Sequence, residues 1–319
     1  MINQKKTISL LVKLIIGLIS FYIIYSRLKS IPHFKEQCFF WFSEPKFYSI
    51  LLLVLGLMLV NWGIETYKWK LITQQIQQVP YSLALKSIFS GICVGNIAPG
   101  RALEFLAKIA FFKPENRASI TVLHFINGMF QMLITVAAGL ISIVYKLKQS
   151  QQSTAIIYGA LAAGILMILF FCWAIFNAHY IHQKLKFFKW FKAFGDNQIG
   201  FTKSLILKLI SLSIIRYAVF TTQFYLIYNA LMPQNDMISI FVSIASYFML
   251  TSLVPMISVI EPAIRAAIAL FVFNGSGDQT VIIVLSSTFV WIINVVIPSA
   301  IGYIIILKEK IDFKSVSVN

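Results

Sequence analysis

Acidic side chains are scarce in this chain, with 11 Asp and Glu against 27 Lys and Arg in 319 residues. Charged residues of both signs make up only 12% of the sequence. Soluble domains carry about 25%, so a water-soluble globule is excluded. Cysteine is also rare. Cys38, Cys93 and Cys172 lie far apart, which excludes a disulfide framework and a thiolate metal site. The chain has no GxxxxGK[ST] loop, and therefore no ATP drive of its own. The few Asp residues fall in loops or in the C-terminal tail, so no Ser-His-Asp set can be assembled. His179 and His182 sit in a basic loop without a nearby carboxylate or cysteine, a poor metal site. No cofactor and no metal are expected, and the chain does not read as an enzyme.

What remains is hydrocarbon. Hydrophobic residues form 59% of the chain and the mean hydropathy is +0.81. Apolar runs near the ~20 residues that cross a bilayer fall at 8–26, 47–66, 118–145, 154–177, 204–230 and 280–307. The first follows Lys5 and Lys6 but lacks a small-x-small cleavage site before Arg27, so it reads as an uncleaved span. The net charge of +16 does not point to nucleic acid, because no polar segment is long enough to present a basic surface. It fits basic cytoplasmic loops. Lys68, Lys70, Lys113, Arg117, the loop 178–203 and the C-terminal lysines are placed inside. The loops 231–237 and 274–279, with Asp236 and Asp278, are placed outside. Loop 27–46, with four basic residues, is the exception to this scheme.

Two further apolar segments, 83–113 and 238–273, are interrupted near their middles. By the charge pattern each begins and ends on one side, so each is expected to be a re-entrant hairpin. The units 47–145 and 204–307 then repeat the order span, hairpin, span in opposite orientations, an arrangement used by transporters. The expected fold is all-α and polytopic, one transmembrane domain over 1–319. It would have about six full spans, two broken hairpins in an inverted repeat, and both termini cytoplasmic.

The hairpins share a motif. NIAPGRALEFLAK and VPMISVIEPAIR each carry a proline (Pro99, Pro255), then a glutamate (Glu104, Glu261), then a base four residues on (Lys108, Arg265). Residues four apart share a helix face, so each acid should pair with its base. A surface helix pair of this kind contributes a few tenths of a kcal/mol. A charge at mid-bilayer costs about 2.5–3.5 kcal/mol, which favours a functional reason for repeating it. A half-helix starting just after Pro99 and Gly100 would offer free N–H groups to an anion. Arg101 could grip a phosphate in bidentate fashion, with Lys108 and Arg265 adding positive charge. Glu104 and Glu261 would hold the cations when the site is empty. Arg216, deep in the span 204–230, is either a substrate ligand or the partner of Glu65 or Glu261. Asn294 and Pro298 either line the same cavity or mark a kinked helix.

At PGRALE with Lys108, IIRY at 214–217, PMISVIEPAIR and WIINVVIP, the chain resembles the flippase-like membrane domain of bacterial lysyl-phosphatidylglycerol synthases, the multiple peptide resistance factors. NWGIETYKWK fits the family's entry to the first hairpin. The resemblance covers most of 47–307. It departs from the family at Leu103, where a glycine is usual, and in lacking a glycine between Pro255 and Arg265. It implies a bacterial inner-membrane protein that moves an anionic phospholipid or lipid-linked precursor between leaflets. Here no synthase domain follows, so lipid lysylation is not expected. The partners implied are an anionic lipid head group and the bilayer. A separate lipid-modifying enzyme and a second copy of the chain are further candidates. Two other readings stand beside this one. One is a non-transporting scaffold that docks a glycosyl- or acyltransferase through loop 178–203. The other is an intramembrane enzyme using Glu104 or Glu261 as a base.

Overall fold

The structure, a computed structural model, describes Tyr22 and residues 43–96, 103–185, 200–232, 236–254, 260–274 and 279–309. The expected first span at 8–26, most of loop 27–46, Pro99, Gly100, Arg101, Pro255, Asp278 and the side chains of His179 and His182 lie outside the described residues.

All regular structure among the described residues is helical: α1 (Pro45–Thr73), α2 (Tyr81–Gly95), α3 (Glu104–Ile109), α4 (Arg117–Gln149), α5 (Thr154–Phe176), α6 (Ala178–Leu185), α7 (Lys203–Leu231), α8 (Met237–Leu253), α9 (Glu261–Phe273), α10 (Gln279–Trp291) and α11 (Ile297–Glu309). A 3₁₀ turn at Pro114–Asn116 leads into α4, and a π turn at Ile292–Val296 joins α10 to α11. Five stretches are long and apolar enough to cross a bilayer: α1, α4 with its 3₁₀ turn, α5, α7 and the α10–α11 rod. This is a membrane protein.

The two interrupted segments are broken where the sequence suggests. Helices α2 and α8 have 15 and 17 residues, about 22–26 Å at 1.5 Å per residue, short of a ~30 Å hydrocarbon core. The second half-helices then start on the motif glutamates. Leu103 precedes α3 with φ −98° and ψ 0°, and Ile260 precedes α9 with φ −104° and ψ −2°. This corrects one expectation. The first half-helix begins at Glu104, not directly after Gly100, so a carboxylate occupies its first turn. A negative side chain there offsets the positive end of the helix dipole.

Packing exchanges elements between the two units. Helix α2 lies along α11, α8 lies along α4, and α1 packs on α7. The first two of these pairs each have a glycine at a close approach. A Cβ on Gly302 of α11 would meet the Phe89 carbonyl oxygen of α2 at 2.0 Å, and one on Gly139 of α4 would meet the Met249 side chain of α8 at 2.3 Å. Small residues that let helices approach are the usual device where lipid removes the hydrophobic drive for association. Each pair also has polar ties. Lys86 of α2 pairs with Glu309 of α11 at 2.7 Å, and Asn96 bonds Ser299. Lys146 of α4 bonds Ser243 Oγ of α8 at 3.0 Å and the Val272 carbonyl of α9, while Ser142 and Ser246 share a bond of 2.7 Å. The glycine and the charged residue are seven apart in both α4 (Gly139, Lys146) and α11 (Gly302, Glu309). By contrast, among the described residues α5 packs mainly on α4 and turns most of its surface outward.

The π turn has a local cause. Pro298 has no N–H to give the Asn294 carbonyl, and its ring would crowd that group. The ladder widens, with the Ile297 N–H bonding the Ile292 carbonyl. Such turns often sit at functional positions.

Candidate functional site

The polar centre of the protein is built around Glu65, a residue of α1 that is 7% exposed. Its Oε2 lies 3.1 Å from the Arg216 guanidinium of α7 and 3.6 Å from Lys68 Nζ, one turn further along α1. Asn127 of α4 donates to its Oε1 at 2.7 Å. Arg216 is held on every side. Its Nε donates to Asn61 Oδ1 at 3.0 Å and an outer nitrogen donates to Gln131 Oε1 at 3.4 Å. The Trp62 and Phe220 rings flank it at 5.3 and 5.2 Å. Asn61 in turn donates to Asn294 Oδ1 at 3.3 Å, on the π turn. Arg216 thus pairs with Glu65, one of the two partners open to it in the sequence, and Asn294 joins the same network.

Lys68 stands differently from its reading as a loop lysine. Helix α1 runs to Thr73, and Lys68 is wholly buried. Among the described residues its ammonium has no nearer acceptor than Glu65, at 3.6 Å. Hydropathy marks the end of a greasy run, so it ended the span where Glu65 and Lys68 begin. The two charges compensate one another three residues apart, and the helix continues through them.

Both motif pairs form. Lys108 Nζ meets Glu104 Oε1 at 2.7 Å, and Arg265 meets Glu261 Oε1 at 2.8 Å. The two pairs have different surroundings. Lys108 is 3% exposed, 3.3 Å from His124 Nδ1 and over the Trp69 ring at 5.3 Å. Trp69 donates to Ser87 Oγ, which donates to the Lys108 carbonyl, tying α1, α2 and α3 together. Gly91 and Gly95 of α2 leave room for the Lys108 and Glu104 side chains.

The second pair faces a cavity of about 540 Å³. Its lining includes Arg216, Glu261, Arg265, Trp62, Trp291 and Asn294. Among the described residues the indole N–H groups of Trp62 and Trp291 have no acceptor. Glu104 and Lys108 are not among the lining residues; they reach the centre through electrostatic interaction between Lys108 and Glu65. The structure therefore brings Arg216, Glu261 and Arg265 to one cavity and places Glu104 and Lys108 behind it. Lys68, Asn61, Asn127, Gln131 and His124 are the polar residues the sequence reading missed. They carry no repeated spacing, and only long-range packing assembles them. No group of His, Cys, Asp and Glu among the described residues could hold a metal.

In comparisons with known proteins, the chain matches no protein-family model and no curated protein.

Proposed function

We propose that this protein is a lipid transporter that moves an anionic phospholipid or lipid-linked precursor across the bacterial cytoplasmic membrane. The observation that carries the reading is the cavity. Two arginines, Arg216 and Arg265, line one pocket among apolar, membrane-spanning helices, and cations are costly there without a counter-charge or ligand. A volume of about 540 Å³ lies within the ~300–1,000 Å³ usual for small-ligand sites. It suits a phosphate head group, with the acyl chains left in the bilayer. Arginine is suited to phosphate through its planar fork of donors. Glu261 keeps Arg265 oriented while the site is empty.

In this reading the broken segments are re-entrant hairpins and the units 47–145 and 204–307 are an inverted repeat. Support comes from the matched helix starts at Glu104 and Glu261 and from the reciprocal packing of α2 on α11 and α8 on α4. Motion of one hairpin against the other would open the cavity alternately to each leaflet. The resemblance to the flippase-like family points the same way, and its PGRALE motif makes Arg101 a further candidate for the head group.

The test is lipid movement in liposomes holding purified protein, read with head-group-labelled phosphatidylglycerol and an impermeant quencher. Wild type should move the lipid, and Arg101→Ala and Arg265→Ala should each lose at least about tenfold in rate, the equivalent of ~1.4 kcal/mol. No movement by well-folded wild type would overturn the transporter reading.

A further inference from the structure

We propose that the buried charge cluster couples anion binding in the cavity to uptake of a proton, and that Lys68 is the residue that carries it. The inference rests on the anion-site reading above and supplies what that reading lacks, a source of energy.

The argument is one of charge count. Among the described residues the connected cluster holds three cations, Lys68, Lys108 and Arg216, against two carboxylates, Glu65 and Glu104. One positive charge is in excess. The groups around Lys68 come from several helices. Glu65 is on its own helix, Arg216 comes from α7 and Lys108 from α3. Helix α4 contributes Asn127 on Glu65 and His124 on Lys108. Helix α2 presents Ser87 through Trp69, and the π turn presents Asn294 through Asn61. None of these adds a further carboxylate.

Only one of the three cations is free to discharge. A guanidinium does not lose its proton in a protein. Lys108 is locked to Glu104 at 2.7 Å. Lys68 is wholly buried, comes no nearer than 3.6 Å to an acceptor among the described residues, and shares a carboxylate that sits nearer to Arg216. A buried ammonium so poorly compensated is the least favourable charge of the set. With Lys68 neutral, Glu65 balances Arg216 and Glu104 balances Lys108.

Anion binding upsets that balance. A phosphate in the cavity takes the Arg216 guanidinium as its counter-ion, and Glu65 is left without one. Lys68 then takes a proton from water and becomes the partner of Glu65. The net step is protein plus anion plus proton giving a complex of unchanged charge. Release of the anion returns Arg216 to Glu65 and expels the proton. An anionic head group therefore crosses with a proton, and a transmembrane proton gradient drives the lipid.

The experiment is calorimetric titration of dihexanoyl-phosphatidylglycerol, below its micelle concentration, into purified full-length protein. Two buffers of different ionisation enthalpy at the same alkaline pH, about 9, give the number of protons exchanged. Wild type should take up about one proton per anion bound. Lys68→Met should take up no proton and, with Glu65 left without a cation once the anion holds Arg216, should bind the probe at least about tenfold more weakly. Should Lys68→Met fail to fold, Lys68→Arg serves instead, because its fixed charge also abolishes uptake. Binding by wild type without proton uptake overturns the coupling and leaves the anion site standing. Uptake that persists in the variant overturns the assignment to Lys68. No binding at all overturns the anion-site reading, and the coupling with it.

Discussion

Glu65 lies within ion-pair range of two basic residues, Arg216 and Lys68, and that makes the cost of mutating the cluster unequal. Among the described residues it is the only carboxylate in ion-pair range of Arg216 and Lys68. In Glu65→Gln, Arg216 stays buried with only the neutral oxygens of Asn61 and Gln131 for company. Stripping one partner from a buried ion pair costs about 3–5 kcal/mol. In Arg216→Met the outcome differs. Glu65 keeps the Asn127 bond at 2.7 Å and has Lys68 3.6 Å away. Lys68 takes over as counter-ion, so the loss is mainly the hydrogen bonds to Asn61 and Gln131, about 1–3 kcal/mol. At about 2–4 °C per kcal/mol, Glu65→Gln should lower the melting temperature by roughly 10 °C and Arg216→Met by roughly half as much. Thermal unfolding in detergent, followed by size-exclusion fluorescence, reads both. Adding Lys68→Met to Arg216→Met should restore the full penalty, since Glu65 then has no cation. Arg216→Met as damaging as Glu65→Gln, or a silent Lys68→Met in that background, would refute the shared-carboxylate argument.

Two more outcomes follow from the backbone. Gly302→Ala should destabilise by about 1–3 kcal/mol, because its Cβ meets the rigid Phe89 carbonyl at 2.0 Å. Gly128→Ala, with nothing within 4 Å of the added carbon, should be neutral or gain up to ~1 kcal/mol from helix propensity; melting temperatures of the pair check this. Pro298→Ala should let the π turn relax to α-helix and turn Asn294 away from Asn61. If the protein moves lipid as proposed, transport in liposomes should then fall severalfold, with the melting temperature held or raised.

Some of this site could be read from the sequence because it depends on local spacing. Glu104 with Lys108 and Glu261 with Arg265 are four apart, and helical geometry alone brings them together. The helix breaks were legible for the same reason, since Pro99 and Pro255 interrupt apolar runs. Arg216 was visible as a charge too deep for solvent, and its pairing with Glu65 was one of two open choices. Lys68 was not legible. Near the end of an apolar run a lysine reads as a loop residue, and only long-range packing, such as Trp69 of α1 against Ser87, Phe112 and His124, shows that α1 stays buried through Thr73. Asn61, His124, Asn127 and Gln131 escaped because a polar residue in a greasy helix has no spacing to betray its partner on another helix. The division of the motif pairs, one lining the cavity and one behind it, comes from which helix covers each. Sequence does not encode that locally.

The exchange of helices between the two units sets a schedule for making the protein. Asn96 at the end of α2 is bonded to Ser299 of α11, 203 residues later in the chain. At about 5–20 residues per second, α2 emerges roughly 10–40 seconds before the surface it will lie against exists. Throughout that interval it is a helix too short for the bilayer, with the Gly302 side of its interface missing. Helix α2 cannot complete its packing until α11, the last helix described, has been made. A ribosome stalled before α11 would leave an inserted but unpacked half, and that half is the species quality-control proteases would meet.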